Sequence, residues 1–192
     1  LAAPLTLKHL LQSPFTLHQG VLDRIERETA HARDGRPGRI VAKMNALNEP
    51  QVMRALYEAS QAGVQVDLVV RGACTLRTGI PGISDNIRVR SVVGRFLEHH
   101  RIWWFGNDGT PDLYCSSADW LERNLLRRVE TAFPVLDADC AQRVHGEGLL
   151  NYLADNQNAW DLQADGSYAK AVPGEGEAAF SAQLSLLEDL YA

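Results

Sequence analysis

Apolar positions recur along this 192-residue chain in two rhythms, one at helical spacing and one as short, nearly unbroken runs. Across residues 16–33, Leu17, Val21, Ile25 and Ala30 fall near helical spacing and predict an amphipathic helix, with Thr16 and Gln19 in the form of a capping box. DGRPG then breaks the pattern, and the apolar run RIVAKM behind that turn predicts a strand. A second helix follows, with Asn48 as N-cap, Pro50 in the first turn, apolar Val52, Ala55, Leu56 and Ala59, and Gly63 as its stop. In VQVDLVV, Val64, Val66, Leu68 and Val70 share one face of a strand. Strand, helix and strand make a βαβ unit, whose two strands run parallel.

Downstream of a Gly/Pro-rich loop, three more runs, IRVRSVV, RIWWF and DLYCSS, read as strands. The turn signal GNDGTP joins the last two as a hairpin. RRVETAFPV adds one more strand, a helix follows over about 138–154, and the tail reads as a loop and a terminal helix. There is no internal repeat. The whole predicts one α/β domain with a mixed sheet.

Composition narrows the class. At 45% hydrophobic the chain buries one good core. No apolar window is long enough for a membrane span, and LAAPLTLKHL lacks the charged leader of a signal peptide and an initiating Met, as expected of a piece of a longer polypeptide. Cys74, Cys115 and Cys140 are too few and scattered for a disulfide framework or a zinc site, and read as buried thiols in a reducing cytoplasm.

Charge changes the picture more. The net charge is −5, but residues 71–128 carry 9 Lys/Arg against 6 Asp/Glu, and residues 129–192 carry 2 against 11. A basic middle in an acidic chain draws a polyanion. Sixteen of the 19 cations are Arg, which suits bidentate recognition of oxyanions and is also what a GC-rich genome produces.

Arg71 falls at the carboxyl end of VQVDLVV, the edge where open α/β sheets bind ligands. In LEHHRIWWF, alternation points His99 and Arg101 one way and His100 the other. Ser116, Ser117 and Asp119 follow the hairpin's return strand, close to the same end. One imidazole, two guanidiniums and two hydroxyls suit a phosphoryl group, although a histidine at a strand start is more often a hydrogen-bonded structural residue. His31 and Arg33 repeat the H-x-R spacing at a helix end, where they are expected to be exposed and without a role. No P-loop, G-x-G-x-x-G or metal-ligand cluster is present in the sequence.

The blocks AKMNAL, LYEASQAGVQVDLVVRGACTL, ISDNIRVRSVVGRFLEHHRI and LYCSSADWLERNLLRRVE, with DNQNAWDLQADGSY and SAQ in the tail, resemble the closing catalytic domain of the bacterial polyphosphate kinase family. The likeness runs through nearly the whole chain. It implies a phospholipase D-like α/β/α sandwich with a mixed sheet, one domain plus a carboxy-terminal helical tail. Residues 1–16 would be the junction from a preceding catalytic domain, and 17–192 the second catalytic domain. Such enzymes reversibly move the terminal phosphate of ATP onto polyphosphate through a phosphohistidine.

The resemblance implies nucleotide contact by Arg71 and His99, with His99 a proton donor or a second phosphate acceptor. Lys43, Asn45, Arg88, Arg101, Ser117 and Asp119 match family blocks and are candidate phosphate contacts on chemical grounds. The phosphorylated histidine and the ligands for the Mg²⁺ expected of the intact enzyme belong to the preceding domain, so the isolated chain is expected to fold without turning over. Partners implied are ATP or ADP, polyphosphate and the remaining domains of the polypeptide, with a homo-oligomer left open. The expected location is the cytoplasm, with no nucleic-acid or membrane partner. Two alternatives stand beside this reading: a phospholipase D-like phosphodiesterase that completes its site by dimerising, and a phosphate-binding module without chemistry. The first would want a lysine where Arg101 stands.

Overall fold

A computed structural model describes residues 7–191. Strand β2 (Arg39–Met44) lies between β3 (Gln65–Val70), its parallel neighbour, and β5 (Arg101–Phe105), which is antiparallel. The helix between β2 and β3 is α2 (Pro50–Ala62), so the βαβ unit forms as predicted. β4 (Ile87–Val92) extends the parallel side, and β6 (Asp112–Ser116) pairs with β5 as the expected hairpin. β7 (Glu130–Pro134) follows β6.

Three strands were not anticipated. β1 (Leu11–Ser13) pairs with β7, while β8 (Ala159–Leu162) and β9 (Tyr168–Lys170) form a hairpin that β8 joins to β4. The tail thus adds to the sheet before ending in helix α6 (Ala182–Asp189). The full order is β1-β7-β6-β5-β2-β3-β4-β8-β9, with a three-residue strand at each edge. Edges that short offer little template for a foreign strand.

The pleat sorts side chains into two cores. Ile40, Ala42, Met44, Val66, Leu68, Val70, Trp103 and Phe105 face α1 (Leu17–Arg33) and α2, which contribute Leu17, Val21, Ile25, Val52 and Leu56. Against the opposite face, Val41, Ile102 and Leu113 meet Leu149, while Val69 and Val92 meet Tyr152 and Ala182. That second layer is built by α4 (Ala138–His145), a π-helical turn over Gly146–Leu150, α5 (Asn151–Ala154) and α6. The single helix expected over 138–154 is therefore interrupted by one widened turn.

Local details depart from expectation where a competing partner is nearer. Thr16 makes no side-chain cap on α1, because its hydroxyl accepts from the Gln12 amide (3.0 Å) while Gln19 donates to Asp23 (2.7 Å). Glu49, one residue beyond Asn48, caps α2 by accepting from Val52 N–H at 2.7 Å. Gly63 ends that helix at φ 102°, a conformation costly to any residue with a Cβ. His31 is buried rather than exposed. No cysteine is paired, and Cys140 is exposed while Cys74 and Cys115 are half-buried. Among the described residues no helix is long and apolar enough to cross a membrane.

Candidate functional site

Because β5 runs antiparallel to β2 and β3, its first residue lies at the same sheet edge as their last. The Arg71 amide donates to the Met44 carbonyl (3.2 Å), and Arg101 pairs with Ser116 across the hairpin. Arg71, Asn45, Arg101 and Asp119 are thereby delivered to one end of the sheet by four separate elements.

There, two successive backbone carbonyls act as hubs. Glu98 O accepts from the Arg71 guanidinium at 2.6 Å, and His99 O accepts from Arg101 Nη1 at 2.9 Å. Among the described residues no carboxylate pairs with Arg71, so its charge is left uncompensated. Arg101 is oriented by Asp119, which takes Nε at 3.1 Å and Nη2 at 3.2 Å, the paired geometry that suits a guanidinium. Asp119 Oδ1 also accepts from Asn45, through the backbone amide at 2.7 Å and the side-chain amide at 3.1 Å. His99 itself is exposed and makes no side-chain hydrogen bond among the described residues.

His100 points to the other face. Its ring meets Tyr152 edge-on at 5.2 Å and its Nε2 lies 3.2 Å from the Gly148 carbonyl. Burial, with the nearby Lys43 charge adding to it, pulls its pKa down to about 4, so it is neutral at pH 7. The alternation argument for LEHHR therefore describes the observed placement of the His100 ring, while His99 is exposed.

Beneath the edge is a buried ionic layer. Lys43, only 2% exposed, bonds Glu98 at 2.8 Å and sits 4.4 Å from the centre of the Tyr152 ring. Burial lowers the Lys43 pKa against the pull of Glu98. For Glu98, burial would raise the pKa, but hydrogen bonds from Lys43 and Gln183 outweigh it and the net shift is downward. Lys43 is thus consumed inside the protein and does not reach solvent, contrary to its expected role as a phosphate contact.

Two other candidates are drawn elsewhere. Arg88 pairs in register with Asp67 on β3 and bonds it through Nε (2.6 Å) and Nη2 (3.0 Å), while Arg39 holds the same carboxylate. At roughly 3.3 Å per residue, Asp67 stands about 13 Å along the strand from Arg71, so Arg88 does not join the edge cluster. It instead borders a separate cavity of about 540 Å³ with Arg90 and Asp161. Ser117 turns its hydroxyl onto Glu130 and accepts from the Thr131 amide (3.1 Å), engaged by β7 rather than by Arg101. Glu98 and Gln183 were missed from the sequence. Both lie in stretches that carry the family resemblance, GRFLEHHRI and SAQ, but nothing in the sequence pointed to a partner for either.

A family model described as polyphosphate kinase C-terminal domain 2 matches residues 10–183. The chain belongs to the polyphosphate kinase family. It is 67% identical over 190 residues to a polyphosphate kinase of Xylella fastidiosa, covering 99% of this chain and 27% of that protein. A Neisseria meningitidis polyphosphate kinase is 58% identical over 177 residues, covering 92% and 26% respectively. The chain therefore spans about a quarter of the length of these relatives. Among solved structures, the polyphosphate kinase from Porphyromonas gingivalis superposes with a TM-score of 0.93 at 36% identity, over 98% of this chain and 29% of that one. Nuc from Salmonella typhimurium, a phospholipase D family member, superposes with a TM-score of 0.54 at 17% identity, over 80% of this chain and 96% of that one. Domain 2 of a polyphosphate kinase thus shares the phospholipase D fold, a mixed sheet between helical layers.

Proposed function

We propose that this domain supplies one half of the active site of a polyphosphate kinase that reversibly transfers the terminal phosphate of ATP to polyphosphate in the cytoplasm. Arg71 and His99 contact the nucleotide phosphates, and Arg101, fixed by Asp119, contributes charge to the same edge. What supports the reading is that two guanidiniums are anchored on the carbonyls of residues 98 and 99, the second of them the exposed His99 itself. Transferring a phosphoryl group spreads negative charge over its oxygens, and preset cations that need no reorganisation stabilise that charge. His99, whose side chain makes no hydrogen bond among the described residues, is available to hold a proton on the departing oxygen or to take the phosphoryl group itself. The histidine that carries phosphate in the main route belongs, in this reading, to the catalytic domain that precedes residues 1–16 (of which 1–6 lie outside the described residues).

Mg²⁺ does not fit the residues present. The edge carboxylates are spent, Glu98 on Lys43 and Asp119 on Arg101, and among the described residues no three metal-ligating side chains cluster. Any such ion would be held by the rest of the polypeptide.

The test is steady-state transfer by the full-length enzyme. His99→Ala should lower turnover by about a hundredfold or more, the range of a lost proton-transfer group. His100→Ala should leave turnover largely intact, its cost appearing in stability. Equal losses from both would refute the assignment.

A further inference from the structure

Gln183, at the start of α6, is buried at 6% exposure and spends its whole carboxamide on one loop. Its oxygen accepts from the Phe96 amide (2.9 Å), and its nitrogen donates to the Phe96 carbonyl (2.8 Å) and to Glu98 Oε1 (2.5 Å). It is bonded to Phe96 as a neighbouring strand would be. Gly94 permits this approach, since a Cβ there would run into the Gln183 side chain. The other Glu98 oxygen takes Lys43 from β2. The loop carrying Val93, Phe96 and Leu97 is otherwise poorly buried, with Leu97 77% exposed, and little apolar packing holds it.

We infer that Gln183 and Glu98 form a positioning clamp that fixes the backbone of residues 96–99, and through it Arg71, Arg101 and His99. The link is direct: the clamped carboxylate and the carbonyl that receives Arg71 belong to the same residue, Glu98. Neither clamp residue touches substrate. The carboxy-terminal helix therefore sets the geometry of the edge from the far side of the sheet. Only a side chain with an acceptor on one arm and a donor on the other, at glutamine's length, meets all three partners. Glutamate keeps the shape, loses both donor bonds and sets a second carboxylate against Glu98. The functional consequence of the clamp rests on the proposed roles of Arg71 and His99, whereas the clamp itself does not.

The experiment uses the full-length enzyme with Gln183→Ala, Gln183→Glu and, as a control, Leu186→Ala, which loses apolar packing from the same helix. Hydrogen exchange over residues 94–101 and the Kd for a non-hydrolysable ATP analogue are read alongside the thermal midpoint. Both Gln183 variants should speed exchange in that segment and weaken the analogue by on the order of tenfold each. Leu186→Ala should lower the midpoint with neither effect. Unchanged exchange over 94–101 in a folded Gln183 variant, or an equal change in Leu186→Ala at the same midpoint, would overturn the clamp. Should both Gln183 variants fail to fold, Glu98→Gln is judged by the same two readouts. Arg71→Ala run in parallel keeps the two ideas apart: if it leaves analogue affinity unchanged, the nucleotide assignment fails, while the exchange data still decide the clamp.

Discussion

Replacing Lys43 with methionine removes one charge from an ion pair that is almost completely out of water, with the two side chains 2% and 5% exposed. Methionine keeps much of the stem volume, so the loss is mainly electrostatic. Leaving a buried charge without its partner costs roughly 3–5 kcal/mol, and the lost contact with the Tyr152 ring adds about 1–2. Glu98 has an escape, however. It can take up a proton, and from an ordinary value near 4.5 that costs about 3.4 kcal/mol at pH 7, at about 1.4 kcal/mol per unit. Gln183 still donates to the carboxyl at 2.5 Å. With the ring contact included, the net loss should be about 4–5 kcal/mol at pH 7.

The sign of its pH dependence follows. In the native protein the Glu98 pKa is lowered, so its contribution is present above about 4.5 and fades as pH falls below that value. In Lys43→Met burial outweighs the remaining Gln183 bond, the folded-state pKa rises above the unfolded one, and stability is lost as pH climbs through it. The variant's deficit should therefore be largest near pH 8 and shrink toward pH 5. Denaturant unfolding of the 192-residue chain at both pH values measures it, and Lys43→Met combined with Glu98→Gln should recover most of the loss. A deficit below about 1 kcal/mol, or one equal at pH 5 and pH 8, would refute the reasoning.

Arg71→Ala should raise the nucleotide Kd of the full-length enzyme by about ten- to a hundredfold, and Arg71→Lys should restore only part, since an ammonium cannot bridge the Glu98 carbonyl and a phosphate as a planar fork does. Asp119→Ala strips the acceptor from Arg101 and from the Asn45 amides at once and should cost about 2–4 kcal/mol in denaturant unfolding, with Asp119→Asn retaining part of it. His100 has a folded pKa of about 4 against 6.5 unfolded, so the stability it contributes is complete above 6.5 and is lost as pH falls toward 4. Discounted for the third of the ring that water reaches, that is about 2 kcal/mol at most. The unfolding profile of His100→Gln should run flatter than the native one between pH 6.5 and 5, and parallel slopes would exclude the assignment.

The strands at the centre were legible because burial on both faces demands apolar runs, and RIVAKM and VQVDLVV are such runs bounded by turns. β8 and β9 were not. YAK is exposed at all three positions, so no burial pattern marks it, and AWDL places only Ala159 fully inside. β1 is too short to carry a period. At the edge, Arg71, His99 and Arg101 could be placed because strand ends and alternation fix them without knowledge of partners. Lys43 could not, since an ammonium on a strand reads as solvent-facing unless its counterion is known, and Glu98 lies 55 residues away. Arg88 had a visible warning in Asp67, a lone carboxylate inside an apolar strand that had to find a cation on a neighbouring one.

Arg71 and Arg101 are both hung on main-chain oxygens, and this affects how the domain tolerates change. A side chain that serves as an anchor can be deleted by one substitution, but a carbonyl is supplied by every amino acid. Point replacement at 99, unlike one at the clamped residue 98, therefore leaves both acceptors in place. The vulnerable quantity is chain length: removing or adding a single residue between Val92 and Glu98 would move the two oxygens off their guanidiniums together. Away from Gly94 and Glu98, substitutions and indels in this stretch should thus differ sharply in severity.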